Sequence, residues 1–269
     1  MKLISTFAAA VVLLTSVGFT DAQNHTNNEA AKVYQDTLPR VSVPVGSKTY
    51  VTGLRSTEDG PNQCAGTLVS PTHVLTSSRC MTADIRWASV GTHYYNGTQD
   101  GERIKVVAML PHPKFTSRRS NDLMLLELEK PSSFKPLALA AADDSDIKAG
   151  EWGTVVGWKL IKGNGTTPST NAQELQSVDM KILTNEDCST MLTIDNTMVC
   201  VAGHANEDPC QGNIGSPVVV KSSGDGQDVL IGIVSWRTEC TLVNSPSVLA
   251  RVSSARAWID SVAGSTCSV

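Results

Sequence analysis

The chain has 269 residues, a formal net charge of −4, 41% hydrophobic residues and seven cysteines. That length holds one large all-β domain or two modest ones, with ample core in either case. The slightly acidic balance leaves no electrostatic footprint for nucleic acid, and the one arginine doublet, Arg118-Arg119, reads as a solvated loop tip.

The first segment has the pattern of a secretory signal. Lys2 supplies a positive end, Leu3 to Phe19 is apolar or small, and Thr20-Asp21-Ala22 offers a cleavage site, giving a signal peptide over 1–22. Residues 23–40, rich in Asn, Ala and Gln and without core periodicity, read as a polar leader. No later apolar run approaches the ~20 residues a membrane-spanning helix needs, so the expectation is an extracellular protein with no membrane partner. The cysteines at 64, 80, 188, 200, 210, 240 and 267 suit an oxidising compartment, and their odd count leaves one thiol over. None forms a CxxC and no histidine stands at ligand spacing from them, so neither a metal site nor a cofactor is expected. Asn24, Asn96 and Asn164 open N-x-[ST] sequons and are candidate glycosylation sites on exposed loops.

From Val41 onward, short β-type runs alternate with Gly, Pro, Asn and Ser clusters. Lys105–Leu110, Leu123–Leu128, Thr154–Trp158 and Val229–Trp236 are too short for independent helices and are bounded by turn residues. Many such strands over the remaining chain indicate barrels or sandwiches. The polar stretch Asp143–Glu151 reads as a connection between halves. At the end, Trp258, Ile259 and Val262 share one helical face after Ser253 or Ser254 as N-cap, so a helix is expected over about 253–263.

Three segments together resemble the trypsin family. Cys64-Ala-Gly-Thr-Leu-Val-Ser-Pro-Thr-His-Val-Leu-Thr-Ser-Ser-Arg-Cys80 is similar to its C-G-G-[TS]-L…W-V-L-T-A-A-H-C, and Asn121-Asp-Leu-Met-Leu-Leu-Glu-Leu128 to N-D-I-A-L-L-K-L. Asp208-Pro-Cys-Gln-Gly-Asn-Ile-Gly-Ser-Pro-Val218 is similar to D-[SA]-C-Q-G-D-S-G-G-P-[LV]. The resemblance runs from about Val41 to Val262. It implies an all-β fold of two six-stranded antiparallel barrels within 41–269, the first over about 41–145 and the second over about 150–250, before the C-terminal helix. It also implies disulfides Cys64–Cys80, Cys188–Cys200 and Cys210–Cys240, leaving Cys267 unpaired.

The departures carry the functional argument. Of the triad-equivalent positions, Arg79 stands where the family has its general-base histidine, Ile214 where it has its nucleophilic serine, and only the carboxylate persists, as Asp122. Arginine has no acceptor nitrogen and stays protonated, and isoleucine has nothing with which to attack a carbonyl. Loss of either group from such a triad costs roughly a million-fold in turnover. The resemblance therefore implies no triad-type peptidase activity. His73 and Ser216 read as structural residues rather than replacements. Asn213 takes the place of the carboxylate that pairs with the freed amine after activation, so cleavage after Arg40 has little to switch on. In the pocket, Asp208 matches the family's Arg/Lys-selecting carboxylate, while Arg237 and Ser247 replace glycines; Arg237 folding onto Asp208 would close it. A bare carboxylate between barrels is costly, and Arg79 is the expected partner of Asp122. Orphaning such a charge by Arg79→Ala would cost about 3–5 kcal/mol.

The run Gly46–Arg55, the segment Ser70–Thr76 and the broken triad together resemble the secreted glucanase inhibitor proteins of oomycete plant pathogens. That resemblance implies a non-enzymatic protein in the host apoplast whose partner is a plant endo-β-1,3-glucanase. The alternative is an adhesion or regulatory protein with another extracellular protein partner. No second set of paired carboxylates or metal ligands suggests different chemistry. The surface around Arg79, Arg118-Arg119 and Arg237–Pro246 is where cations would meet an acidic carbohydrate-cleaving site.

Overall fold

Strands of β-branched and aliphatic residues place alternate side chains on opposite faces, and closing them into barrels removes exposed edges. A computed structural model describes residues 41–97, 99–158, 160–161, 170–202, 214–236 and 246–264. The first strands are β1 (Val41–Ser42), β2 (Val51–Arg55), β3 (Cys64–Ser70), β4 (His73–Thr76), β5 (Trp87–Val90), β6 (Glu102–Pro111) and β7 (Met124–Leu128). Strands β2 to β7 close into an antiparallel barrel in the order β2-β3-β4-β7-β6-β5. Its interior holds Leu54, Leu68, Ile104, Met124 and Leu126, with the Cys64–Cys80 disulfide among them.

The chain continues through β8 (Ala138–Leu139), β9 (Trp152–Gly157), a small hairpin of β10 (Leu160–Ile161) and β11 (Thr170–Asn171), and β12 (Gln176–Ile182). After α1 (Asn185–Met191) come β13 (Met198–Ala202), β14 (Pro217–Lys221), β15 (Asp228–Trp236) and β16 (Ser247–Arg251). Strands β9, β12, β13, β16, β15 and β14 form a second closed ring, since β9 pairs with both β12 and β14. Val155, Met180, Val199, Val201, Val218 and Ile231 fill it. Thr184 caps α1 by accepting from Asp187 N at 2.9 Å, and Cys188–Cys200 fastens that helix to β13.

The trypsin-like architecture expected from the sequence is present, with its parts divided differently at the ends. Val41 pairs with Ser177 of β12, and β8 runs parallel to β15, so both ends of the stretch assigned to the first barrel add strands to the second. Two-residue strands have no periodicity by which a sequence could assign them.

The C-terminal helix also starts later than expected. Ser253–Ala255 forms a 3₁₀ turn and α2 spans Arg256–Ala263, with no side-chain cap. The serines are used elsewhere: Ser254 Oγ donates to Arg251 O at 2.8 Å, and Ser253 Oγ donates to Asp144. Arg251, itself buried, donates to Asp144 at 2.9 Å, to Asn185 Oδ1 at 2.9 Å and to Met198 O at 3.0 Å. The connection between the barrels is thereby tied down through Asp144.

A third core lies between the barrels. Val51, Ala65, Leu75, Leu123 and Leu125 from the first meet Val156, Val219, Leu230 and Ile233 from the second, under Ile259 and Ala263 of α2. Trp258 packs edge-on to His112 with ring centroids 4.8 Å apart. At one side of this seam Asp228 accepts from the Tyr50 hydroxyl at 2.7 Å, contacts Lys48 and lies 2.8 Å from Lys221 Nζ. At another, Tyr95 N donates to Gln173 O and Leu175 N to His93 O, each at 2.8 Å.

Candidate functional site

The residues expected to occupy the triad positions lie at the seam. Asp122 stands just before β7 and is completely buried. Asn121, in the left-handed region at φ 53°, turns the chain there, and its backbone N–H donates to Thr197 Oγ1 of the second barrel at 2.9 Å. A buried carboxylate needs its lone pairs satisfied, and three donors converge on this one. Ser77 Oγ donates to Oδ2 at 2.7 Å, Ser235 Oγ donates to the same oxygen, and the backbone N–H of Arg79 donates to Oδ1 at 3.2 Å. All three groups are neutral. The guanidinium expected to pair with Asp122 goes elsewhere: Arg79 Nη1 crosses the seam to the carbonyl of Ser235, 2.5 Å away. The local backbone explains this. Ser77 caps the 3₁₀ turn Ser78–Ala83, accepting from Arg79 N at 3.1 Å, and the N–H of Arg79, the second residue of that turn, faces the carboxylate while its side chain reaches away to Ser235.

Ser77 is the residue that reading the motif missed. Its signal was present, because Thr76-Ser77-Ser78-Arg79 carries two hydroxyls where the family motif has two alanines. The second also finds a buried acceptor, with Ser78 Oγ donating to Leu123 O at 2.7 Å.

Ile214 sits on a turn gripped by both barrels. Its carbonyl accepts from Ala65 N at 2.9 Å, and Gly215 N donates to Val234 O at 2.9 Å. Gly215 has φ 86°, and a Cβ there would lie 2.0 Å from the Ala65 carbonyl, so the position requires glycine. The Ile214 side chain packs against the core of the first barrel beside Cys64, Cys80 and their neighbours. It adds hydrocarbon at the seam and brings no nucleophile.

The remaining residues singled out from the sequence fall into place as follows. Ser216 is fully buried and its carbonyl accepts from Val234 N at 2.9 Å. His73 Nδ1 lies 3.0 Å from both Ser70 Oγ and Thr72 Oγ1, and burial pushes its pKa down. Ser247 is buried in β16 opposite Val201. Asn96 is exposed on a loop. Asn24, Arg40, Asn164, Asp208, Cys210, Asn213, Arg237, Cys240 and Cys267 lie outside the described residues, and with them the expected Asp208–Arg237 pair and the Cys210–Cys240 disulfide. Among the described residues, no group of three or more His, Cys, Asp or Glu is arranged to hold a metal ion.

The Arg118-Arg119 doublet is only half a solvated tip. Arg118 is exposed, but Arg119 is half-buried, in the left-handed region at φ 69°, with its guanidinium carbon 4.8 Å from the centroid of the Trp236 ring. That distance is within cation–π range. Its loop is held across the seam, since Ser120 Oγ donates to Asp195, which also accepts from Thr197 N at 2.9 Å. Burial opposes ionisation of Asp195, but donation from Ser120 and Thr197 holds its carboxyl below the usual range. Arg79 and Arg119 therefore both reach from the first barrel onto the consecutive residues Ser235 and Trp236 at the end of β15.

The two rings, the shared core beneath α2 and the seam they enclose have the plan of one known family, whose model, described as Trypsin, matches residues 38–259. The chain belongs to the trypsin family. Within that family it is similar to proteins with a distinctive name. It is 46% identical over 266 residues to Glucanase inhibitor protein 3 of Phytophthora infestans, covering 97% of this chain and 98% of that one. Glucanase inhibitor protein 1 of the same organism is 45% identical over the same shares. Glucanase inhibitor protein 3 of Phytophthora sojae is 40% identical over 97% of this chain and 99% of its own. Among the described residues no helix is long and apolar enough to cross a membrane.

Proposed function

We propose that this is a secreted, catalytically inactive member of the trypsin family that binds a plant endo-β-1,3-glucanase and inhibits it. By doing so it would keep host enzyme from releasing defence-eliciting fragments from wall glucan. The observation that carries the reading is near-full-length similarity, at 46% identity, to a protein named for glucanase inhibition. The chemistry at the seam supports it. In this reading Arg79 stands in place of the general base and Ile214 in place of the nucleophile, and the carboxylate that would orient a histidine is saturated by Ser77, Ser235 and a backbone N–H. With no acceptor nitrogen at the base position and no hydroxyl at the nucleophile position, acyl transfer has no starting step. Among the described residues, two disulfides and an exposed sequon asparagine, Asn96, are in keeping with an exported protein.

The test is direct. Purified protein added to plant endo-β-1,3-glucanases should slow laminarin hydrolysis in proportion to its concentration, and should leave peptide substrates of trypsin uncut. Unchanged laminarin hydrolysis across several glucanase isoforms would overturn the reading.

A further inference from the structure

We infer that Arg79 and Arg119 form a preorganised carboxylate receptor, and that the occupant is the acidic catalytic cleft of the inhibited glucanase. This rests on the function proposed above and names the surface through which it acts. The first observation concerns how arginine charge is handled in this protein. Arg86, Arg103, Arg251 and Arg256 each pair with an aspartate of their own chain. Arg55 is fully buried and donates to Asn62 Oδ1. Among the described residues, the arginines that are neither buried nor paired with a carboxylate are Arg79, Arg118 and Arg119. Arg79 and Arg119 both reach the end of β15 at the seam, and Arg118 is the exposed sequence neighbour of Arg119.

The second observation is that two of them are fixed without being neutralised. Arg79 is held by one hydrogen bond to the Ser235 carbonyl, and Arg119 by the face of Trp236. A carbonyl and an indole ring orient a guanidinium but leave its charge and its remaining N–H groups for another ligand. Among the described residues, Asp122, whose carboxylate lies against the Arg79 backbone, is already occupied by its own three donors, and Asp195 beside the Arg119 loop by Ser120 and Thr197. Rotamer freedom is thus spent on folding rather than on binding, the condition under which a charged side chain adds affinity. The loop bearing Arg119 is anchored at Asp195 and Thr197, so the receptor belongs to a rigid surface.

The third consideration is complementarity. Guanidinium matches carboxylate in planar, paired hydrogen bonds. Glycoside hydrolases commonly place two carboxylates on either side of the scissile bond, roughly 5 to 9 Å apart. Two cations anchored on adjacent residues of one strand, with Arg118 exposed beside them, suit such a pair. Occupying those carboxylates excludes the glucan from both acid and nucleophile.

Measuring the inhibition constant against laminarin for wild type, Arg119→Gln and Arg79→Gln tests this, with Arg103→Gln, an arginine paired with Asp59 and no part of the receptor, as a control. Each seam variant should raise the constant roughly 30-fold or more, the loss typical when one member of a desolvated charge pair is removed. Arg103→Gln should leave it unchanged, and thermal unfolding should show every variant folded. Changing a catalytic carboxylate of the glucanase to its amide should weaken binding of wild type much more than binding of Arg119→Gln. If wild type inhibits and both folded seam variants stay within about twofold of it, the receptor is wrong and the proposed function stands. If wild type inhibits no glucanase, both fall.

Discussion

Asp122 is a fully buried carboxylate whose partners differ from the arginine expected from the sequence. Its charge is distributed over Ser77, Ser235 and the Arg79 backbone, so the Arg79 side chain does not stabilise it directly. This reverses the cost expected from the sequence. Ser77→Ala removes a hydrogen bond to a buried charge and should destabilise by about 1.5–3 kcal/mol, while Arg79→Ala, which loses a bond to a carbonyl, should cost about 0.5–1.5 kcal/mol. Urea unfolding of the two variants checks the order, and a larger loss for Arg79→Ala would show that the guanidinium does compensate Asp122. At this scale the motif residues were legible because their order in the chain is distinctive. The partner of Asp122 was not, because a serine gains meaning only when its hydroxyl is seen to reach a carboxylate 45 residues away in sequence.

At the scale of elements, the run Gly46–Arg55 takes on a structural role. Lys48 and Tyr50 reach out of the first barrel to Asp228 at the start of β15, where Lys221 of β14 joins them. Burial by itself would raise the Asp228 carboxyl, but donation from Lys221, Lys48 and Tyr50 together holds it below its ordinary value. Burial and the same carboxylate push the Tyr50 hydroxyl upward. The sign follows from linkage. A depressed folded pKa contributes stability that is fully present above the unfolded value, about 3.9, and is lost as pH falls through the folded one. Asp228→Asn should therefore lower stability at neutral pH and flatten its decline below about pH 5, where protonation of the carboxyl begins to matter. Unfolding midpoints from pH 7 down to the acid limit measure both effects; parallel curves for variant and wild type would show that the clamp does not titrate with folding.

The strands themselves were the most readable elements. The short apolar runs now in β6, β7, β9 and β15 survive as strands because their composition and flanking turn residues are local properties of the chain. The short pieces failed for the same reason. Val41–Ser42 and Ala138–Leu139 carry no pattern, and their allegiance to the second barrel comes from backbone hydrogen bonds to β12 and β15. Ser253 and Ser254 had the composition of a helix cap, but Asp144 and the Arg251 carbonyl recruit them instead. Tertiary hydrogen bonding took precedence over local capping preference, which sequence cannot weigh.

For the whole molecule, function and cooperativity are linked by where the proposed receptor is built. Arg79 and Arg119 come from one barrel and the residues that hold them, Ser235 and Trp236, from the other. The surface therefore exists only while the barrels are docked. Docking rests on a core to which both barrels and α2 contribute, on the Asp228 clamp, and on the ties at Asp195 and Tyr95. A seam with that much shared apolar surface should not open ahead of the barrels, because exposing it removes burial from both at once. Denaturation should accordingly be a single transition, with far-ultraviolet circular dichroism, tryptophan fluorescence and residual glucanase inhibition lost at one midpoint. If inhibition vanished at a clearly lower denaturant concentration than the circular dichroism signal, the barrels would be separating first. The seam would then be a weak joint, and the arginines could not be a rigid receptor.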